Sequence, residues 1–233
     1  MTPGGFDTVL GGPTVHLDNP GPSGATLAVL DMPDPEHRLV LADGRSDRLP
    51  VRRWHGAPEP EVEAVAARCA GPAIDLGCGP GRLTVALARR GLVALGVDIS
   101  AEAVRLTRDR GVAALRRDLF DPLPGEGRWA HALLVDGNIG IGGDPVGLLR
   151  RCARLVATDG TLLVEVEPPG TGLWRGRAWV VSGIPGRSPQ RGPSLHWARL
   201  GVDALAPTAD AAGLRVTEVL RYGLRWFAEL VRS

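Results

Sequence analysis

The sequence predicts an α/β fold with three layers: a doubly wound, mostly parallel seven-stranded sheet whose last strand is antiparallel. An N-terminal extension and an insertion between the fifth strand and the next helix are added to it. Three observations carry this expectation. From Ala73 onward, apolar runs of strand length alternate with helix-type patterns, which gives a parallel sheet, helices on both faces and right-handed crossovers. The last two runs are separated only by Tyr222-Gly223, too short for a crossover, so they form an antiparallel hairpin. Finally, residues 73–82 read AIDLGCGPGR, an apolar run ending in alternate glycines and entering a helical pattern. Such a strand–turn–helix lets backbone approach a ligand over a helix N-terminus.

The elements follow in chain order. Residues 1 to about 30 are rich in Gly and Pro and are expected to be loosely ordered in isolation. Residues 38–51 read as a hairpin, with Leu39-Val40-Leu41, a turn at Ala42-Asp43-Gly44 and a return through Leu49-Pro50-Val51. A helix is expected over 59–69, stopped by Gly71-Pro72. Strands are expected at 73–77, 92–97, 112–116, 131–136, 160–167, 214–221 and 224–231, and helices at 81–90, 101–110, 145–156 and 200–212. This divides the chain into an extension, 1–58, and a main domain, 59–233. Residues 168–198 hold Trp174, Trp179, His196 and Trp197 and are too long for a plain loop. Trp174–Ile184 has the β character for an extra strand or hairpin.

Composition bounds the function. At 233 residues the chain can bury a substantial core in one domain. Formal net charge is +1, and all 27 basic residues are arginine. That balance disfavours nucleic acid or an anionic membrane as partner, although Arg52-Arg53, Arg187 and Arg191 could form a local basic patch. Three cysteines give no paired framework and no C-x-x-C metal spacing; Cys78, inside the glycine turn, reads as a buried thiol. No apolar run approaches the ~18 residues of a spanning helix, and the N-terminus lacks a signal pattern. A cytoplasmic protein acting on a small molecule is the expectation, with oligomeric state open.

The chemistry rests on the glycine turn and the acids around it. Gly77, Gly79 and Gly81 make the turn, and the next strand ends in Asp98, at the distance of about 20 residues where an acid takes ribose hydroxyls. The dinucleotide pattern G-x-G-x-x-G needs glycine where Arg82 stands, and Asp75 beside the turn would repel a pyrophosphate. A nicotinamide-dependent oxidoreductase is therefore disfavoured. The pattern D-x-G-x-G-x-G, followed by Asp98, resembles motif I of class I S-adenosylmethionine-dependent methyltransferases. One reversed strand at the end of a parallel sheet is also that family's arrangement, so the resemblance covers residues 59–233. A cationic sulfonium and an amino group suit an acidic turn.

The resemblance implies S-adenosylmethionine as cofactor and S-adenosylhomocysteine as product, with a small-molecule O- or N-nucleophile as acceptor. Asp75 would face the methionine amino group, Asp98 the ribose hydroxyls and Ile99 the adenine face. Asp118, next to Leu119, would take the adenine amino group; Asp121 is its rival, and either also reads as a cap or turn residue. Asp136, Gly137 and Asn138 end the fourth strand and belong beside the methyl group, at the switch point of the sheet; the glycines after them suggest a mobile loop. This segment departs from the N/D-P-P-Y motif of nucleobase amino-methyltransferases, which disfavours that subclass. On the acceptor side His55, Asn138, Glu167 and His196 are the candidates, with Asp136 a further candidate base, a histidine having the right pKa for proton abstraction near neutrality. His131 reads as structural. A binding or accessory protein without transfer activity is the other reading that keeps the cofactor.

Overall fold

The computed structural model describes residues 36–183 and 188–233. Expectations on residues 1–30, Ile184 and Arg187 fall outside the described residues.

The first elements are β1 (Glu36–Leu41), β2 (Ser46–Arg48), α1 (Val51–His55) and α2 (Pro60–Ala67). Then come β3 (Ala73–Leu76), α3 (Arg82–Arg89), β4 (Ala94–Asp98), α4 (Ala101–Asp109) and β5 (Ala114–Arg116). After β6 (Trp129–Leu134), a 3-10 turn (Asn138–Gly140) leads into α5 (Pro145–Leu155) and β7 (Val156–Val166). The chain ends with β8 (Leu173–Gly183), β9 (Gln190–Leu200), α6 (Val202–Ala211), β10 (Leu214–Tyr222) and β11 (Arg225–Arg232).

Seven strands form one sheet in the order β10-β11-β7-β6-β3-β4-β5. β3 to β7 are parallel, and β11 runs antiparallel to both β7 and β10. The chain turns outward in both directions from β3 and β6, which creates a crevice at their carboxyl ends. Helices cover both faces. Leu148, Leu149, Cys152 and Leu155 of α5 and Leu205 of α6 pack on one side. Val62 and Val65 of α2 and Leu83 and Leu87 of α3 pack on the other. Ser100 caps α4, its hydroxyl accepting from the Ala103 amide at 3.1 Å, a cap worth about 1 kcal/mol. No helix among the described residues is long and apolar enough to cross a membrane.

The extension and the insertion combine into a second sheet, ordered β2-β1-β8-β9. β1 pairs antiparallel with β8 from Glu36↔Gly183 to Leu41↔Ala178. A two-stranded hairpin is marginal alone, whereas four strands with an apolar face hold together. That face buries Leu39, Leu41, Ala178, Val180 and Trp197, with Trp54 of α1 against it. The return strand of the first hairpin is Ser46–Arg48 rather than 49–51. Pro50 has no amide for a ladder, and the chain enters α1 immediately after it. His196 lies within β9 rather than in a loop before α6.

Candidate active site

The crevice at the carboxyl ends of β3, β4 and β6 opens into a cavity of 1140 Å³ roofed by the second sheet. A single drug-sized ligand takes a pocket of about 300–1,000 Å³, so this one has room for two molecules. Core-sheet residues make one half: Asp75, Gly77 to Pro80, Asp98 to Ser100, Asp118 to Phe120 and Asp136 to Asn138. The other half comes from the second sheet and α1, including Leu39, Asp47, Leu49, Trp54, Leu195, His196, Trp197 and Arg199, with Glu167 from the end of β7.

The three motif glycines do different jobs. All have positive φ, at 74° for Gly77, 54° for Gly79 and 84° for Gly81, a region that disfavours side chains. A Cβ on Gly77 would strike the Asn138 side chain at 2.6 Å, and one on Gly81 would strike Thr107 at 2.6 Å. A Cβ on Gly79 would meet nothing within 4 Å. Gly79 therefore opens the cavity to a ligand, whereas Gly77 and Gly81 allow close packing. Gly81 does not line the cavity and serves the turn by packing against Thr107. Gly137, with φ of 82° and open space at its Cβ position, does line it.

The acids around the turn are fixed in place. Asp98 accepts from the Gly79 amide and from the Ser100 amide, both at 2.9 Å, so its carboxylate is locked to the glycine turn. Ile99, 42% exposed, sits beside it. Asp118 accepts from the Phe120 amide at 3.0 Å, forming an Asx turn, and also lines the cavity. Asp121 does not line it; its carbonyl is taken by Arg151. Leu119 is buried in the core below. Asp75 is buried and accepts from the Thr84 hydroxyl at 2.7 Å. Burial pushes its carboxyl up to about 7; the Thr84 hydrogen bond opposes this and the neighbouring Asp136 charge adds to it.

Asn138 clamps the turn. Its Nδ2 donates to the Leu76 carbonyl at 3.0 Å and the Gly77 carbonyl at 2.8 Å. Its Nδ2 group is thus engaged with backbone, a structural role, while Asn138 also lines the cavity. The glycine-rich segment after it is packed, contrary to the expected mobile loop: Ile139 is 2% exposed, and a Cβ on Gly140 would come within 2.2 Å of the Ala198 carbonyl. Asn138→Ala should lower unfolding free energy by about 1–2 kcal/mol, measured by denaturant titration. A catalytic role without the clamp would instead slow turnover and leave stability unchanged.

Sequence reasoning missed a charge network at the same end. Asp136 adopts φ 59°, rare for a non-glycine residue. Its carboxylate accepts from Arg53 at 3.1 Å, from Arg225 at 2.8 Å and from Arg82. Arg82 also donates to Glu59, and Arg225 forks onto Glu165 at 2.7 and 2.6 Å. Arg82, read in the sequence only as the residue that breaks a dinucleotide motif, is the 4%-exposed cation joining α2 to β6. Arg225 lies far along the chain, so no local signal could reveal it.

On the acceptor half Glu167 takes Arg199 at 3.0 Å, and Arg199 reaches on to Asp47 at 2.7 Å. His196 lines the cavity from β9. His55 is not among the residues lining it; its backbone carbonyl accepts from Arg110. Burial lowers its pKa, and the Arg110 charge adds to the effect. His131 accepts from the Ala70 amide at 3.0 Å and contacts the Thr161 hydroxyl at 2.8 Å, a structural role. Among the described residues, Trp54 Nε1 on the cavity wall is a buried donor without a hydrogen-bond partner.

Comparison with known proteins bears on this arrangement. Residues 73–160 match the model of a methyltransferase domain family. An uncharacterised methyltransferase of Mycobacterium bovis is 31% identical over 175 residues, covering 63% of this chain and 83% of the relative. The chain belongs to the class I S-adenosylmethionine-dependent methyltransferases. A trans-aconitate 2-methyltransferase of Rhodococcus jostii is 41% identical over 94 residues, 39% of this chain and 33% of that protein. The chain spans between 33% and 52% of the length of the curated relatives it matches first. A Bacteroides fragilis S-adenosylmethionine-dependent methyltransferase, solved with S-adenosyl-L-homocysteine, superposes with a TM-score of 0.68 at 21% identity, covering 86% of this chain and 89% of that one. The likeness is one of fold: the seven-stranded sheet with its reversed strand is the methyltransferase sheet.

Proposed function

We propose that the chain transfers a methyl group from S-adenosylmethionine to a small-molecule O- or N-nucleophile. The observation that carries this reading is the two-part cavity, with the family's acidic glycine turn in one half and an aromatic-lined chamber in the other. The residues present fit the cofactor. Gly79 and Gly137 leave open space where a side chain would stand. Asp98 and Asp118 both line the cavity, which supports assigning Asp98 to the ribose hydroxyls and Asp118 to the adenine amino group, and Asp75 sits beside the turn with a carboxyl that a cationic ligand would ionise. When bound, S-adenosylmethionine supplies a methyl group on a cationic sulfur.

The chain's own contribution is positional. The second sheet and α1 cover the crevice, and fixing a nucleophile in line can supply about 7–11 kcal/mol of the barrier. His196 and Glu167 on the acceptor half are the groups that can hold or take a proton from the nucleophile. The acidic lining suits a small molecule better than a nucleic acid. Incubation with isotope-labelled S-adenosylmethionine and a panel of small amines, phenols and carboxylic acids, read by mass spectrometry, tests the reading. Label transfer to one class is expected. Tight cofactor binding without transfer to any acceptor would make the protein a binding module.

Asp75 gives this reading a pH dependence. Its folded pKa lies above the ordinary carboxylate value of 3.8, so the folded state holds the proton more tightly than the unfolded chain. The associated stability is fully present below pH ~4 and is lost as pH rises through about 7. Asp75→Asn should flatten that decline in thermal melts between pH 4 and 8. A cationic ligand beside Asp75 should lower its pKa. Binding of S-adenosylmethionine at pH 6 should therefore release protons, measured as a dependence of calorimetric heat on buffer ionisation enthalpy.

A further inference from the structure

The acceptor half of the cavity carries an unbalanced charge. Asp47 of β2 and Glu167 at the end of β7 both bind the one guanidinium of Arg199, at 2.7 and 3.0 Å. Two arginines line this half: Arg199, whose side chain is 17% exposed, and Arg53 of α1, which is engaged by Glu59 at 3.3 Å and Asp136 at 3.1 Å. Asp144 adds a third carboxylate to the lining, with Arg175, outside the cavity, at 3.5 Å. The wall between these acids is aromatic and apolar, with Trp54 and Trp197 joined by Leu39, Leu49 and Leu195.

Two features independently select the same ligand charge. Carboxylates that share one cation leave net negative potential, which solvent screens in part because Glu167 is 32% and Asp47 53% exposed. Indole rings attract cations and do not attract anions. A polycarboxylate acceptor would meet repulsion from Asp47 and Glu167, and Arg199 is already held by both.

Resting on the methyltransferase reading, we propose that the acceptor is a small amine carried on an apolar body, bound as its ammonium with Glu167 and Asp47 as the specificity-determining carboxylates. The ammonium first loses a proton to solvent or to His196. The free amine nitrogen then forms a bond to the methyl carbon as the sulfur–methyl bond breaks and its electron pair stays on sulfur. The cofactor leaves as a neutral thioether, and the methylated amine carries the positive charge.

A matched pair of probes tests the charge preference without requiring turnover. Calorimetry first establishes S-adenosylhomocysteine binding to the full chain, and the saturated protein is then titrated with 2-phenylethylamine and with 3-phenylpropanoate. The amine should bind at least tenfold more tightly. Asp47→Asn combined with Glu167→Gln should reduce that ratio at least fivefold, with S-adenosylhomocysteine affinity unchanged as the check on folding. Equal affinity, preference for the carboxylate, or binding of neither probe would overturn the amine proposal alone. Failure to bind S-adenosylhomocysteine would overturn the methyltransferase reading beneath it.

Discussion

Asp98→Ala is expected to weaken S-adenosylmethionine binding at least tenfold, a loss of at least about 1.4 kcal/mol. The Asp98 carboxylate is held from both sides, by the Gly79 amide and by the Ser100 amide, so its orientation on the cavity wall is set before a ligand arrives. Such preorganisation makes the contact to a ribose diol worth more than one from a mobile side chain. The substitution also unties the glycine turn at Gly79, the one motif glycine with open space at its Cβ position. Asp98→Asn keeps the volume but can satisfy only one of the two amides, its NH2 group facing the other N–H, so it should lower both affinity and melting temperature, each by less than Asp98→Ala. Unchanged affinity in both variants would mean that the ribose lies elsewhere.

Arg82→Ala is expected to be the most destabilising single change in the site. The Arg82 side chain is 4% exposed and forks between Glu59 on the approach to α2 and Asp136 at the end of β6. Truncation leaves those carboxylates close together, with Arg53 and Arg225 to neutralise them and Glu165. Breaking a buried ion pair from one side costs about 3–5 kcal/mol. Glu59 and Asp136 keep some solvent and other partners, so about 3 kcal/mol is expected in denaturant unfolding. Arg82→Lys should recover little, because an ammonium cannot span two carboxylates as the guanidinium fork does. Arg82 also holds the Asp75 carboxyl down, so its removal should move the Asp75-linked loss of stability to higher pH. Full recovery by lysine would show that net charge, not the forked geometry, holds the network.

The core sheet was legible because its information is local. AIDLGCGPGR placed β3, the turn and α3 to within a residue, and the short Tyr222-Gly223 link forced the reversed strand. Asp98 and Asp118 were legible for the same reason: each follows a strand end, and strand ends in such sheets point to the crevice. The second sheet was not legible as a whole. A hairpin over 38–51 and an extra strand or hairpin over Trp174–Ile184 could be read, but β9 was not, and nothing in those patterns says that Leu39 faces Val180 across most of the chain.

Residues in the site failed or succeeded on the same grounds. Asn138 stood out as a rare amide in a glycine-rich segment. What the sequence could not show is that both its donors go to the Leu76 and Gly77 carbonyls. His55 was attractive for its position before α2, but of α1 it is Arg53 and Trp54 that line the cavity. Arg53, Arg82, Arg199 and Arg225 were hidden by composition: where every basic residue is arginine, a functional arginine carries no sequence signal. Their roles come from long-range ion pairs that only the fold brings together.

The central claim is that the acidic glycine turn binds S-adenosylmethionine, and calorimetry on the wild-type chain tests it most directly. One equivalent of S-adenosylmethionine should bind, S-adenosylhomocysteine should compete for the same site, and NAD should give no saturable heat. Saturable binding of NAD, or no binding of either S-adenosylmethionine or S-adenosylhomocysteine, would contradict it.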